Sequence, residues 1–123
     1  MDKLFNEIIS IDGIIGVIII NNSNIVDYKK FSDISFKNTN DFDKYLQNSV
    51  NFDILKKVFE LSNENLLIYD DLRLYVKKIL NSYLLVAMKL YVPMSLIRLN
   101  CQILEPQLEK KLLNVKKFKF FSK

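Results

Sequence analysis

Ile14-Ile15-Gly16-Val17-Ile18-Ile19-Ile20, residues 14–20, is an unbroken apolar run, β-branched at every position except Gly16. No polar residue alternates with the apolar ones, so the run reads as a strand covered on both faces. Tyr83-Leu84-Leu85-Val86-Ala87-Met88 has the same character. Two strands of this kind belong side by side at the centre of a sheet, and the rest of the chain must supply the edges and the layers that cover them.

Upstream of the first run, Asp2 can cap a short helix in which Leu4, Phe5, Ile8 and Ile9 recur at helical spacing, until Asp12-Gly13 ends it. Downstream, Asn21-Asn22-Ser23-Asn24 is a polar turn, and 25–31 reads as a second strand with a polar half at Asp27, Lys29 and Lys30. The pair forms a hairpin whose second strand lies nearer an edge. After a polar connection over 32–40, the spacing predicts a long helix from Asp41 to Leu61. Val50, Ile54, Val58 and Leu61 fall on one side, and Phe52, Leu55 and Phe59 extend the arc to about 200°, wider than one sheet needs. Such a helix is expected to have two apolar neighbours.

Three strands follow, at 65–69, 72–79 and 83–90, with turns at Asp70-Asp71 and Leu80-Asn81-Ser82. In the middle one Leu72, Leu74 and Val76 alternate with Arg73, Tyr75 and Lys77, giving an inner and an outer face. Pro93 suits the first turn of a last helix with an apolar stripe at Leu96, Ile97, Leu99, Asn100, Ile103 and Leu104, continued by Leu108 and Leu112. Pro106 is expected to kink or restart that helix, because it cannot donate to the Gln102 carbonyl. The expected order is α-β-β-α-β-β-β-α, an α+β sandwich of five antiparallel strands with helices on both faces.

Composition narrows the function. The chain has 123 residues and is 50% apolar, enough for one domain with a core of its own. Of its 18 Lys and Arg, four lie in the tail after residue 113, so the remaining 14 balance all 14 acids. A neutral body with two arginines, Arg73 and Arg98, and no basic stripe interleaved with aromatics argues against nucleic acid. One cysteine, Cys101, excludes an internal disulfide and a multi-cysteine zinc site, and a cytoplasmic location is expected. The longest apolar run is far short of the roughly 20 residues a membrane span requires, and Asp2 and Glu7 do not fit a signal peptide.

The catalytic repertoire is thin. Without histidine, Ser-His-Asp and Cys-His arrangements cannot form. Gly13 and Gly16 belong to no phosphate loop and read as a turn and a site of close helix packing. Asp41/Asp43 and Asp70/Asp71 suit a helix start and a turn better than a metal, and Cys101 suits a buried apolar position. No catalytic residue, cofactor site or metal site is expected. Arg98 could act in trans on a partner's phosphates, but a bond to a nearby carboxylate or carbonyl is the stronger reading.

Three pieces together resemble the roadblock/dynein light chain family: Phe5-Asn6-Glu7-Ile8-Ile9 running into Gly13-Ile14-Ile15-Gly16-Val17-Ile18-Ile19, then Tyr83–Met88, then Pro93-Met94-Ser95-Leu96-Ile97-Arg98-Leu99. They correspond to the family's first helix and strand, its apolar last strand and the start of its last helix. The likeness covers residues 3–113, leaving 114–123 as a basic, aromatic tail. Pro93-Met94-Ser95 lacks a glycine common there.

The resemblance implies a non-catalytic homodimer, or a dimer with a paralogue, that regulates or scaffolds a Ras-like small GTPase and can act as its activator. Its expected interface comprises Val50, Phe52, Ile54, Leu55, Val58 and Phe59 of the long helix with Leu66 and Ile68 of the following edge strand. A structural light-chain-type adaptor without a GTPase is the alternative, and a longin-like or profilin-like trafficking module a third, against which the helix before the first strand argues. In the tail, Lys116, Lys117, Phe118, Lys119, Phe120 and Phe121 could touch anionic lipid weakly or an acidic partner, or pack as a final helical turn.

Overall fold

The computed structural model describes residues 2–21, 26–32, 57, 62–69 and 72–121, of which Asp2 and 114–121 by backbone alone. The described elements are α1 (Asp2–Ile9), β1 (Ile14–Asn21), β2 (Val26–Phe31), β3 (Glu64–Ile68), β4 (Arg73–Ile79), β5 (Ser82–Met88) and α2 (Met94–Phe121). The five strands form one antiparallel sheet in the order β2-β1-β5-β4-β3. The two uniformly apolar strands are therefore neighbours, β5 is central, and β2 and β3 are the edges.

Gly13 takes a left-handed φ of 94° in the turn between α1 and β1, where a Cβ would also strike Val92 and Tyr91. Gly16 serves close packing, but its neighbour is the Phe31 ring of β2 and not a helix. Its strand shifts register against β5 between Ile14 and Gly16, and this bulge lets Ile14 and Val17 share a face. The β4–β5 hairpin turns at Leu80-Asn81, Ile79 pairing with Ser82, and Leu80 adopts φ 55°.

Both described helices lie on one face of the sheet. Phe5 and Ile8 of α1 and Ile97, Cys101, Leu104, Leu108 and Leu112 of α2 pack with Val17, Tyr75 and Val86. Fully burying each large apolar side chain is worth about 1.5–3 kcal/mol. The buried stripe of α2 runs at intervals of four and three, whereas Leu96, Leu99 and Ile103, placed in the stripe by sequence, are exposed. Pro106 does not restart the helix, which continues through it. Pro106 and Gln102 are both exposed, so the carbonyl left without a donor faces water.

The other face is equally dry: Ile15, Ile18, Ile20, Leu74, Val76 and Leu85 are all buried. The helix that the sequence predicts over 41–61 lies outside the described residues except for Lys57, which is helical and exposed.

The reading of β4 as having an outer face is corrected. Tyr75 is 1% exposed, and Arg73 and Lys77 are half-buried, because all three point to the side covered by α1 and α2. Their polar tips are met there. Arg73 Nη2 donates to the Val92 carbonyl, the Tyr75 hydroxyl donates to Glu64, and Lys77 Nζ lies 2.7 Å from Glu105 Oε2. Alternation in the sequence marked two chemistries, and each has its own buried layer.

Candidate interaction edge at strand β3

β3 is short, and its interior bonds determine what it offers outward. The Tyr69 amide donates to the Leu72 carbonyl at 2.8 Å and the Lys78 amide to the Asn63 carbonyl at 2.9 Å. With Glu64 opposite Lys77, Leu66 opposite Tyr75 and Ile68 opposite Arg73, these bonds direct the backbone groups of the odd-numbered residues towards β4. The N–H and C=O groups of Glu64, Leu66 and Ile68 consequently point away from the sheet.

Glu64 is already occupied on that side. Ser62 Oγ donates to the Glu64 carbonyl at 2.8 Å and accepts the Glu64 amide at 3.3 Å, closing a local side-chain loop at the strand's start. Leu66 and Ile68 have no such cap among the described residues. Their side chains differ: Leu66 packs half-buried against the core, whereas Ile68 is 70% exposed.

The Glu64 side chain fastens this edge to the layer above it. Its Oε2 accepts the Tyr75 hydroxyl, and its Oε1 lies 3.0 Å from Arg98 Nε on α2. The Tyr75 hydrogen bond, reinforced by Arg98 and opposed by partial burial, holds the carboxyl below its usual range. Burial, with Glu64 second, pushes the Tyr75 phenol well above its ordinary value. Arg98 thus bonds a carboxylate, as the sequence favoured, and a second tie runs from Lys77 to Glu105. Sequence reasoning did not single out Ser62 or Glu64. A serine two residues before a strand residue is a weak local signal, and the partnership of Glu64 with Arg98, 34 residues away, leaves none.

The other expected site residues fall elsewhere. Val50, Phe52, Ile54, Leu55, Val58 and Phe59 lie outside the described residues, as do Asp41, Asp43, Asp70 and Asp71. The backbone of 114–121 continues α2 as helix, and the side chains of Lys116, Lys117, Phe118, Lys119, Phe120 and Phe121 are not among those described. Cys101 is fully buried, and burial pushes its thiol up to about 12, the state of a packing residue and not a nucleophile. A groove of about 160 Å³ between α1 and α2, floored by Leu4, Ile8 and Leu104, is smaller than the few hundred Å³ typical of a small-molecule site. Among the described residues no three His, Cys, Asp or Glu side chains converge, and no helix is long and apolar enough to cross a membrane.

No protein-family model and no curated protein sequence matches the chain. Solved structures do. A roadblock/LC7 domain from Streptomyces avermitilis superposes with a TM-score of 0.68 at 11% identity, over 92% of this chain and 98% of that one. MglC from Myxococcus xanthus gives 0.64 at 11% identity over 90% and 94%, and MglB from the same organism 0.61 at 14% over 92% and 91%. At such identities the likeness is one of architecture, and it agrees with the resemblance carried by the first helix, the two apolar strands and the start of the last helix: the chain has the roadblock/LC7 fold.

Proposed function

We propose that the chain is a non-catalytic, homodimeric binding platform that regulates or scaffolds a Ras-like small GTPase. The observation that carries this reading is the β3 edge: on a roadblock/LC7 fold, the strand that the family resemblance assigns to pairing carries, at Leu66 and Ile68, outward backbone groups uncapped among the described residues, and a 70% exposed isoleucine. An exposed edge of this composition is a template for another strand. The expected share of Val50, Phe52, Ile54, Leu55, Val58 and Phe59 in the same interface belongs to the proposal. So do a cytoplasmic location and a role for the basic tail as a secondary contact.

The GTPase rests on the family resemblance and on the lack of a reactive constellation in the sequence, which has no histidine and a buried cysteine. The purified chain would be presented with Ras-like GTPases encoded beside it, each loaded with GDP or with a non-hydrolysable GTP analogue. Binding that prefers one nucleotide state is expected. Raised GTP turnover identifies an activator, and binding with unchanged turnover a scaffold. Binding to neither state defeats the GTPase part and leaves the light-chain-type adaptor.

A further inference from the structure

We propose that two copies of the chain join through β3 in the antiparallel register that places Leu67 on the two-fold axis, so that Leu66 of each copy opposes Ile68 of the other. This rests on the pairing reading above and adds the register, which the resemblance does not supply.

Backbone directions come first. Two antiparallel edges bond only where outward-facing residues oppose outward-facing residues. Because Glu64, Leu66 and Ile68 are the outward set, a register that joins at least two outward pairs has its two-fold at Asn65, Leu66 or Leu67.

Hydrogen-bond supply then separates the three. Ser62 Oγ already engages both outward groups of Glu64, leaving Leu66 and Ile68 open among the described residues. Two open residues per strand are all paired only when each Leu66 meets an Ile68, which is the register centred on Leu67. In it Ser62 ends the ladder by keeping Glu64 out of it.

Side chains select the same register, as they do wherever one arrangement places apolar groups together. Centred on Leu67, the half-buried Leu66 lies beside the 70% exposed Ile68 on the α2 side, and Leu67 meets its own copy on the opposite face. Centred on Leu66, Ile68 would oppose Glu64, whose carboxylate is held by Tyr75 and Arg98. Centred on Asn65, Ile68 would oppose Ser62, and Glu64 would face Leu66.

Cysteine substitutions in the full chain test this, with Cys101, buried in the core, as an internal control. Directly opposed residues at a non-hydrogen-bonded position stand about 4.5 Å apart at Cα, within disulfide reach. Under mild oxidation Leu67→Cys is expected to crosslink with itself. Leu66→Cys and Ile68→Cys, opposed at about 5.5 Å, are expected to crosslink when mixed but little when alone. The unsubstituted chain should not crosslink. Light scattering on the same samples separates the failures. A dimer that crosslinks with itself at Leu66→Cys or Asn65→Cys overturns the register, and a dimer that crosslinks at none of 65–68 overturns β3 as the joint. A monomer at all concentrations refutes the pairing itself.

Discussion

Replacing Gly16 with alanine tests the packing of β1 against β2. A Cβ there would stand 3.0 Å from the Lys30 carbonyl oxygen and 3.1 Å from Phe31 Cε1, with Phe31 Cδ1 closer still. Carbon atoms in good contact are about 3.5–4.0 Å apart, so the ring must retreat while the Lys30 carbonyl, held in the ladder, cannot. Overpacking of this kind costs about 1–3 kcal/mol. The stiffer unfolded chain of an alanine variant returns about 0.4–1 kcal/mol. Gly16→Ala should therefore lose about 1–2 kcal/mol in urea unfolding followed by circular dichroism, at one fixed protein concentration so that any assembly contributes equally.

Phe31→Leu removes the ring that is struck. In the Gly16→Ala background it should cost at least about 1 kcal/mol less than in the parent chain. A neutral or stabilised Gly16→Ala, or additivity within about 0.5 kcal/mol, would refute the placement of Phe31 over Gly16.

Four further outcomes follow from other parts of the fold. Leu80, at φ 55°, should prefer glycine to alanine by about 1 kcal/mol in the same unfolding assay, the reverse of the usual order. Tyr75→Phe removes the main cause of the lowered Glu64 value; since a depressed carboxyl stabilises the fold above its unfolded value near 4.5 and loses that as pH falls through the folded value, the stability gap between parent and variant should be widest at pH 7 and narrow as acid protonates the carboxyl. Cys101, with its thiol pushed up to about 12, should react with a thiol reagent at pH 8 only on unfolding, giving one slow phase that denaturant accelerates. Ile68→Lys, at an exposed edge position, should leave the fold intact and weaken self-association at least about 30-fold, because each dimer loses two buried isoleucines and sets a charge against Leu66 of each copy; analytical ultracentrifugation gives the constant.

Much of this architecture was legible because the chain declares its central strands. Ile14–Ile20 and Tyr83–Met88 are apolar at every position, and strands of that kind have nowhere to lie except beside each other under cover. Polar residues in β2 marked it as an edge in the same way. What was misread came from side chains whose tips and stems have different surroundings. Arg73, Tyr75 and Lys77 alternate like a wet face, yet their stems are covered and only their polar ends find partners. Leu96, Leu99 and Ile103 fit a helical stripe by spacing, but the buried face runs through Ile97, Cys101, Leu104, Leu108 and Leu112 and leaves those three exposed. The candidate edge was not legible in composition or spacing: the family resemblance alone named Leu66 and Ile68, β3 does lie at the sheet edge, and the Ser62 cap and the anchoring of Glu64 by Tyr75 and Arg98 depend on tertiary placement.

The central claim, a platform made of two copies, is tested most directly by the mass of the full chain in solution. Light scattering after size exclusion, from about 1 to 100 µM across the range of ordinary dimer affinities, is predicted to give twice the 14.5 kDa of one chain. A mass of 14.5 kDa at every concentration would contradict it.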